Sequence, residues 1–167
     1  PQGLRLVEKY YEDFVHSGAN LTPAQKEQVK KINAEIATLQ TTLTQNVLAE
    51  ANADAVIVDS RDQLAGLGDE QIQGLADDAK AKGLEGKYRI ALLNTTGQPL
   101  EAQLEDRALR ERIYKASVNR GSHGGKWDNT APISRLMKLR AERAAIMGYP
   151  NYAAFALADE TAKNPEA

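Results

Sequence analysis

A stripe of six aliphatic residues constrains this chain most: Val29, Ile32, Ile36, Leu39, Leu43 and Val47, spaced by threes and fours. At 3.6 residues per turn that spacing sets all six on one face of an α-helix. The stretch opens with Thr22-Pro23-Ala24-Gln25. This is a capping-box start, with proline at the first helical position, where its missing N–H costs nothing. From Thr22 to about Glu50 such a helix would run roughly 40 Å at 1.5 Å per residue. A helix of that length needs another long helix to lie against, so the expected fold is mainly α.

The remaining chain supports that expectation with one interruption. A first helix is expected over Leu4–Ser17, with Val7, Tyr11 and Phe14 on one stripe and Gly18 just past its end. Ala55–Asp59 is short, β-branched and bounded by polar residues, and Lys87–Leu93 is its match, so the two are expected to pair as strands. Between them a helix should start near Asp69, carry Ile72, Leu75, Ala76 and Ala79 inward, and stop at Gly83. Pro99–Leu104 suits a short helix. Asp106 can cap a helix to Arg120 with Leu109, Ile113 and Ala116 inward. A glycine-rich loop, Gly121–Asn129, leads into a helix from Thr130 through Met147. Its apolar residues cover more than one face, so a central position is expected for it. Asn151 should cap a last helix running to Lys163. The whole reads as a single helical segment over residues 1–167, an antiparallel helical array with one small two-stranded β-ribbon. Two strands alone make a marginal ribbon, so it must pack on helices.

Composition removes several function classes. The 167 residues carry 21 basic and 23 acidic side chains, a net charge of −2, without the basic surplus of a nucleic-acid module. No apolar run approaches the ~18 residues needed to span a bilayer. There is no cysteine, which excludes disulfides and thiolate metal sites. Alanine supplies 26 residues, so large apolar side chains are fewer than the 42% hydrophobic content suggests. At the chain's end Asn164-Pro165-Glu166 is a helix-start signal followed by a single residue, and at its beginning helix periodicity is present by Leu4 with no initiator Met. The expectation is a piece of a longer protein.

Chemistry-bearing side chains are sparse. Glu12 and His16 share a helix face, with Asp13 close, but a metal site needs at least three ligands and helical zinc sites pair two His four apart. A solvated Glu–His pair is the expected state. His123 lies in the loop "RGSHGGKWDN", whose glycines could cradle an anion, yet the strand-then-loop context and Walker spacing are missing. A flexible connection is expected, or else a mobile lip on a substrate cleft. No serine among Ser17, Ser60, Ser117, Ser122 and Ser134 sits in a nucleophile elbow. The acidic pairs Glu8/Glu12 and Asp77/Asp78 read as solvated faces. Arg107–Arg112 reads as an exposed, salt-bridged helix, and Trp127 as a packing anchor. No catalytic, cofactor-binding or metal-ligating residue is expected in this chain.

One long stretch nevertheless resembles a known family. "DNTAPISRLMKLRAERAAIMGYPNYAAFALADETAKNP" is similar to the region upstream of the active site in thimet-oligopeptidase-like zinc metallopeptidases, through Asn129, Leu136, Arg140, Glu142, Ala144, Gly148, Tyr149, Ala153 and Phe155. "DRALRERIYKASVNRG", "LVEKYYEDFVHSGANL" and "GLEGKYRIALLN" extend the likeness over nearly the whole chain, toward the bacterial peptidyl-dipeptidases, which are dipeptidyl carboxypeptidases. The resemblance implies a mainly helical enzyme in two halves about a deep channel that admits short peptides. It implies zinc in the parent protein, held on a His-Glu-x-x-His helix whose Glu is the general base. Neither His16 nor His123 is followed by Glu, so no zinc-site residue can be carried onto this chain. The segment is then expected to belong to the non-catalytic, channel-wall half, with the catalytic half and short peptides as partners, and neither nucleic acid nor membrane. Within that resemblance the alternatives are an oligopeptidase fragment, acting as an endopeptidase, or a free-standing helical interaction domain. The expected compartment is cytoplasmic, alternatively periplasmic.

Overall fold

The computed structural model describes residues 2–93 and 99–167 in full and the backbone of residues 97 and 98. Seven helices and two strands are present among the described residues: α1 (Gln2–His16), α2 (Pro23–Ala53), β1 (Val56–Val58), α3 (Asp69–Ala81), β2 (Tyr88–Ile90), α4 (Gly97–Glu101), α5 (Arg107–Val118), α6 (Thr130–Ile146) and α7 (Tyr152–Leu157). The expected mainly helical array with one small ribbon is the observed architecture. Two compact units divide it, one of Pro1–Leu43 with Ala131–Ala167, the other of Thr44–Thr130.

The first unit is built on the aliphatic stripe. Thr22 and Gln25 form the reciprocal capping box, with the Thr22 N–H donating to Gln25 Oε1 at 3.0 Å and the Gln25 N–H to Thr22 Oγ1 at 3.3 Å. Ile32 and Ile36 of α2 pack on Leu136 and Leu139 of α6, flanked by Leu39, Leu43 and Ile146. The pairing is tied by the Arg135 guanidinium, which grips the Glu35 carboxylate through two bonds of 2.6 and 2.8 Å, and by Arg143, which donates to Asn33 Oδ1 at 3.0 Å. The expected central position of α6 is not what this unit builds. Ile133 and Met137 are exposed, because its inward face is the one set by Leu136, Leu139 and Ala144. The stripe of α1 is likewise uncovered: Leu4, Val7, Tyr11 and Phe14 are each about two-thirds exposed.

Helix α7 is capped as expected by Asn151, whose Oδ1 accepts the Ala154 N–H at 2.8 Å. It ends at Leu157 and not near Lys163. Asp159 and Glu160 follow directly, and carboxylates are disfavoured at the negative end of a helix. Beyond them the Asn164 side chain accepts the Glu166 N–H at 3.0 Å, the bond an N-cap residue makes.

In the second unit the strands pair antiparallel with Val56 opposite Ile90 and Val58 opposite Tyr88. Their inward residues join Leu64, Ile72, Leu75, Leu92, Leu100, Leu104, Leu109 and Ile113 in one core. The ribbon thus has its helical support, from α3 packed against β2 and α5 against β1. Asp106 caps α5 as expected, accepting from the Ala108 and Leu109 N–H groups at 2.8 and 3.1 Å. The alternating-sign run of α5 is exposed at Arg107, Glu111 and Arg112, as expected, but its arginines do more than pair with carboxylates. Arg110 donates to the carbonyls of Leu104 and Glu105, and Arg112 to that of Ile57, so these arginines clamp backbone; the one intrahelical ion pair is Glu111–Lys115.

Candidate functional site

The last turns of α2 replace aliphatic stripe residues with polar ones. Asn46 follows Leu43 by three and Glu50 follows it by seven, so both continue the inward face. Glu50 is fully buried. Its Oε1 accepts the Gly121 N–H at 2.7 Å, while Oε2 is buried without a hydrogen-bond partner. Gly121 has φ of +76°, the left-handed region that glycine enters without strain, and this turns its N–H onto the carboxylate. The Gly121 carbonyl then accepts the Asn129 N–H at 2.8 Å, closing the loop at its base. Buried Asn129 is held from α2 by the Asn46 side chain, 2.8 Å away.

His123 rides on this closed loop. Its Nδ1 stands 3.1 Å from both the Asn119 carbonyl and Glu50 Oε1, and its Nε2 3.1 Å from Asp54 Oδ2. The Asn119 carbonyl holds the imidazole pKa above its ordinary value; loss of water around the ring opposes it, and the charges of Asp54, Glu50 and Asp128 add to the rise. Asp128 closes the far side. It accepts from the Thr130 and Gly124 N–H groups at 2.8 Å each, and the Thr130 bonds, with Gly124 after them, keep its carboxyl below the usual range. The expected flexible connection is therefore an anchored loop.

Glu50, Asp54 and His123 have the donor types of a metal centre. One ligand atom from each lies within 4.8 Å of the other two, although the ring also turns different nitrogens toward the two carboxylates.

The other singled-out residues serve structure. His16 is not a solvated partner of Glu12: it stacks on Phe155, with ring centroids 4.2 Å apart and planes at 10°, and meets Tyr149 edge-on. Asp13 pairs with Lys9 at 2.7 Å. Asp78 belongs to no solvated pair, since it binds the buried Arg89 at 2.5 Å. That ion pair lines a cleft of about 670 Å³ with Leu48, Leu75, Lys82 and Pro99. Ser60 starts a 3-10 turn by accepting the Asp62 N–H at 3.2 Å. Half-buried Trp127 carries the Lys126 ammonium 4.3 Å over its ring.

Residues 100–167 match the model of Peptidase family M3. That stretch is similar to M3 peptidase sequence. The chain's similarity is not confined to that stretch: the chain is 41% identical over 166 residues to a dipeptidyl carboxypeptidase of Escherichia coli (strain K12), covering 99% of this chain and 24% of the relative. A dipeptidyl carboxypeptidase of Salmonella typhimurium is 42% identical over the same share, and an oligopeptidase A of Haemophilus influenzae 31% identical over 97% of this chain. The chain thus spans about a quarter of the length of these relatives. Among the described residues no helix is long and apolar enough to cross a membrane.

Proposed function

We propose that this chain is a scaffold segment of a larger M3 zinc metallopeptidase that removes C-terminal dipeptides from short peptides. The observation that carries the reading is end-to-end similarity to dipeptidyl carboxypeptidases, 41% identical across 99% of this chain but only 24% of the relative. The segment lacks a His-Glu-x-x-His run, so the zinc and the general base of the parent lie elsewhere. Its part is to wall the peptide channel against the catalytic half. The uncovered apolar face of α1, with Ile133 and Met137 of α6, supports such a partner, because exposed apolar patches mark surfaces built for contact.

The test is a chromatographic assay of unblocked short peptides with the 167-residue protein and with the parent chain, with and without chelator. The expected result is no cleavage by the segment, and chelator-sensitive release of C-terminal dipeptides by the parent. Metal analysis of untagged segment should find no stoichiometric zinc. Chelator-sensitive cleavage by the segment alone would overturn the scaffold role. A parent that cuts only internally would favour the second reading, an endopeptidase, which the similarity to oligopeptidase A supports. A reading frame without a zinc helix would leave a free-standing helical interaction domain. The parent is expected in the cytoplasm.

A further inference from the structure

Among the described residues, the polar atoms set against the His123 ring nitrogens are acceptors. Nδ1 meets the Asn119 carbonyl and Glu50 Oε1, and Nε2 meets Asp54 Oδ2, all at 3.1 Å. A neutral imidazole has one N–H and one lone pair. Whichever tautomer it adopts, one lone pair then points at an oxygen lone pair. Only the imidazolium, a donor at both nitrogens, fits all three partners.

The loop's other anchors do not titrate through the same ring. At the base, the Asn129 N–H donates to the Gly121 carbonyl, the Gly121 N–H to Glu50, and the Asn46 amide to Asn129. Farther out, Gly124 and Gly125 both have positive φ with open space around them, and the Gly124 N–H is held within the loop by Asp128 at 2.8 Å, a bond that does not reach α2. The ring of His123 is the bond from this apex to α2.

We propose that His123 is a proton-operated latch: protonated, it ties the apex of the Gly121–Asn129 loop to the last turns of α2, and on losing its proton it frees the apex while the base stays closed. The charges acting on the ring are Glu50 and Asp54 from α2 and Asp128 from the loop itself, all acidic. A group whose pKa is raised in the closed state contributes its hold fully below the unperturbed value and loses it as pH rises through the raised one. The latch therefore opens on the alkaline side of an ordinary histidine.

The sole tryptophan, Trp127, lies in this loop and reports on it. The experiment follows the 167-residue protein from pH 5 to 9 by three readouts: imidazole NMR shifts, Trp127 fluorescence, and amide exchange at Gly125 and Lys126, with Gly121 and Asn129 as base reporters. The His123 midpoint should lie above that of the same sequence in an unfolded peptide. Fluorescence and corrected apex exchange should change at that midpoint, with the base amides unaffected. Apex opening should change about tenfold for each pH unit of midpoint elevation, since both measure one linkage. His123→Gln should abolish the pH response. Asp54→Asn, which keeps the side-chain size, should lower the midpoint and serves if His123→Gln does not fold. An unshifted midpoint, a pH-flat apex, or an unchanged response in His123→Gln would overturn the latch. So would stoichiometric zinc binding lost in His123→Gln, which would make the trio a metal site.

Discussion

Replacing Asp78 with alanine removes the carboxylate from a guanidinium that has almost no access to water. The Arg89 side chain is 6% exposed and Asp78 is 41% exposed, with 2.5 Å between their bonded atoms. Without Asp78 the guanidinium keeps a 3.3 Å bond to the Asn52 carbonyl. Breaking a fully enclosed ion pair costs about 3–5 kcal/mol. Here water can follow through the exposed side of the cleft, so the hydrogen-bond scale for charged groups, about 1.5–3 kcal/mol, is the better guide. The reverse replacement should cost less. In Arg89→Met an apolar stem of similar length remains packed, and Asp78, already part-exposed, hydrates; volume-conserving swaps typically cost under about 1.5 kcal/mol. The assay is amide exchange of β1 and β2, since Arg89 lies on β2 and the chain comprises two units with separate cores. A loss of about 2 kcal/mol accelerates globally limited exchange roughly 30-fold. Asp78→Ala should reach that scale and Arg89→Met fall well short. Equal effects, or Arg89→Met as the worse of the two, would refute the argument that burial asymmetry decides the cost.

Two substitutions test the turns that frame the second unit. Gly66 has φ of +98°, and an added Cβ would stand 2.1 Å from the Gln103 carbonyl oxygen, whereas Gly83, at φ of +74°, has open space around it. Gly83→Ala should therefore show only the left-handed strain of about 1–2 kcal/mol, while Gly66→Ala must also displace backbone and should cost clearly more in a denaturant titration of the same unit. Asp106→Ala removes the acceptor of two α5 N–H groups and should cost about 1 kcal/mol, with Asp106→Asn close to the original.

What could be read from the sequence was mostly what neighbours in the chain decide. The Thr22–Gln25 box, the Asp106 and Asn151 caps and the turn at Asn164 involve residues two or three apart, and each forms the bond its residue types foretold. The ribbon was legible because β-branched Val56–Val58 interrupts a helical period. Helix length was harder, and α7 stops early where acidic residues meet its C-terminal end. Periodicity says which residues share a face and says nothing about what covers it, which is why the α1 stripe could be named but its exposure could not.

The candidate site shows where that boundary falls. Counting histidines directs attention to His123, yet the residue that organises the loop is Glu50, bonded to a glycine 71 positions away. One signal for it was present: Glu50 stands two helical turns after Leu43 on a face that had been aliphatic since Val29, and a carboxylate that inherits a core position must find donors once folded. Asp54, four residues on, continues the same face and stands 3.1 Å from His123 Nε2. What the stripe cannot supply is the donor's identity, because the Gly121 N–H reaches Glu50 only through a positive φ that any loop glycine could have taken. A charged residue at an apolar stripe position is thus a sharper pointer to a long-range polar anchor than a lone histidine in a loop, since burial obliges the first to be satisfied and nothing obliges the second.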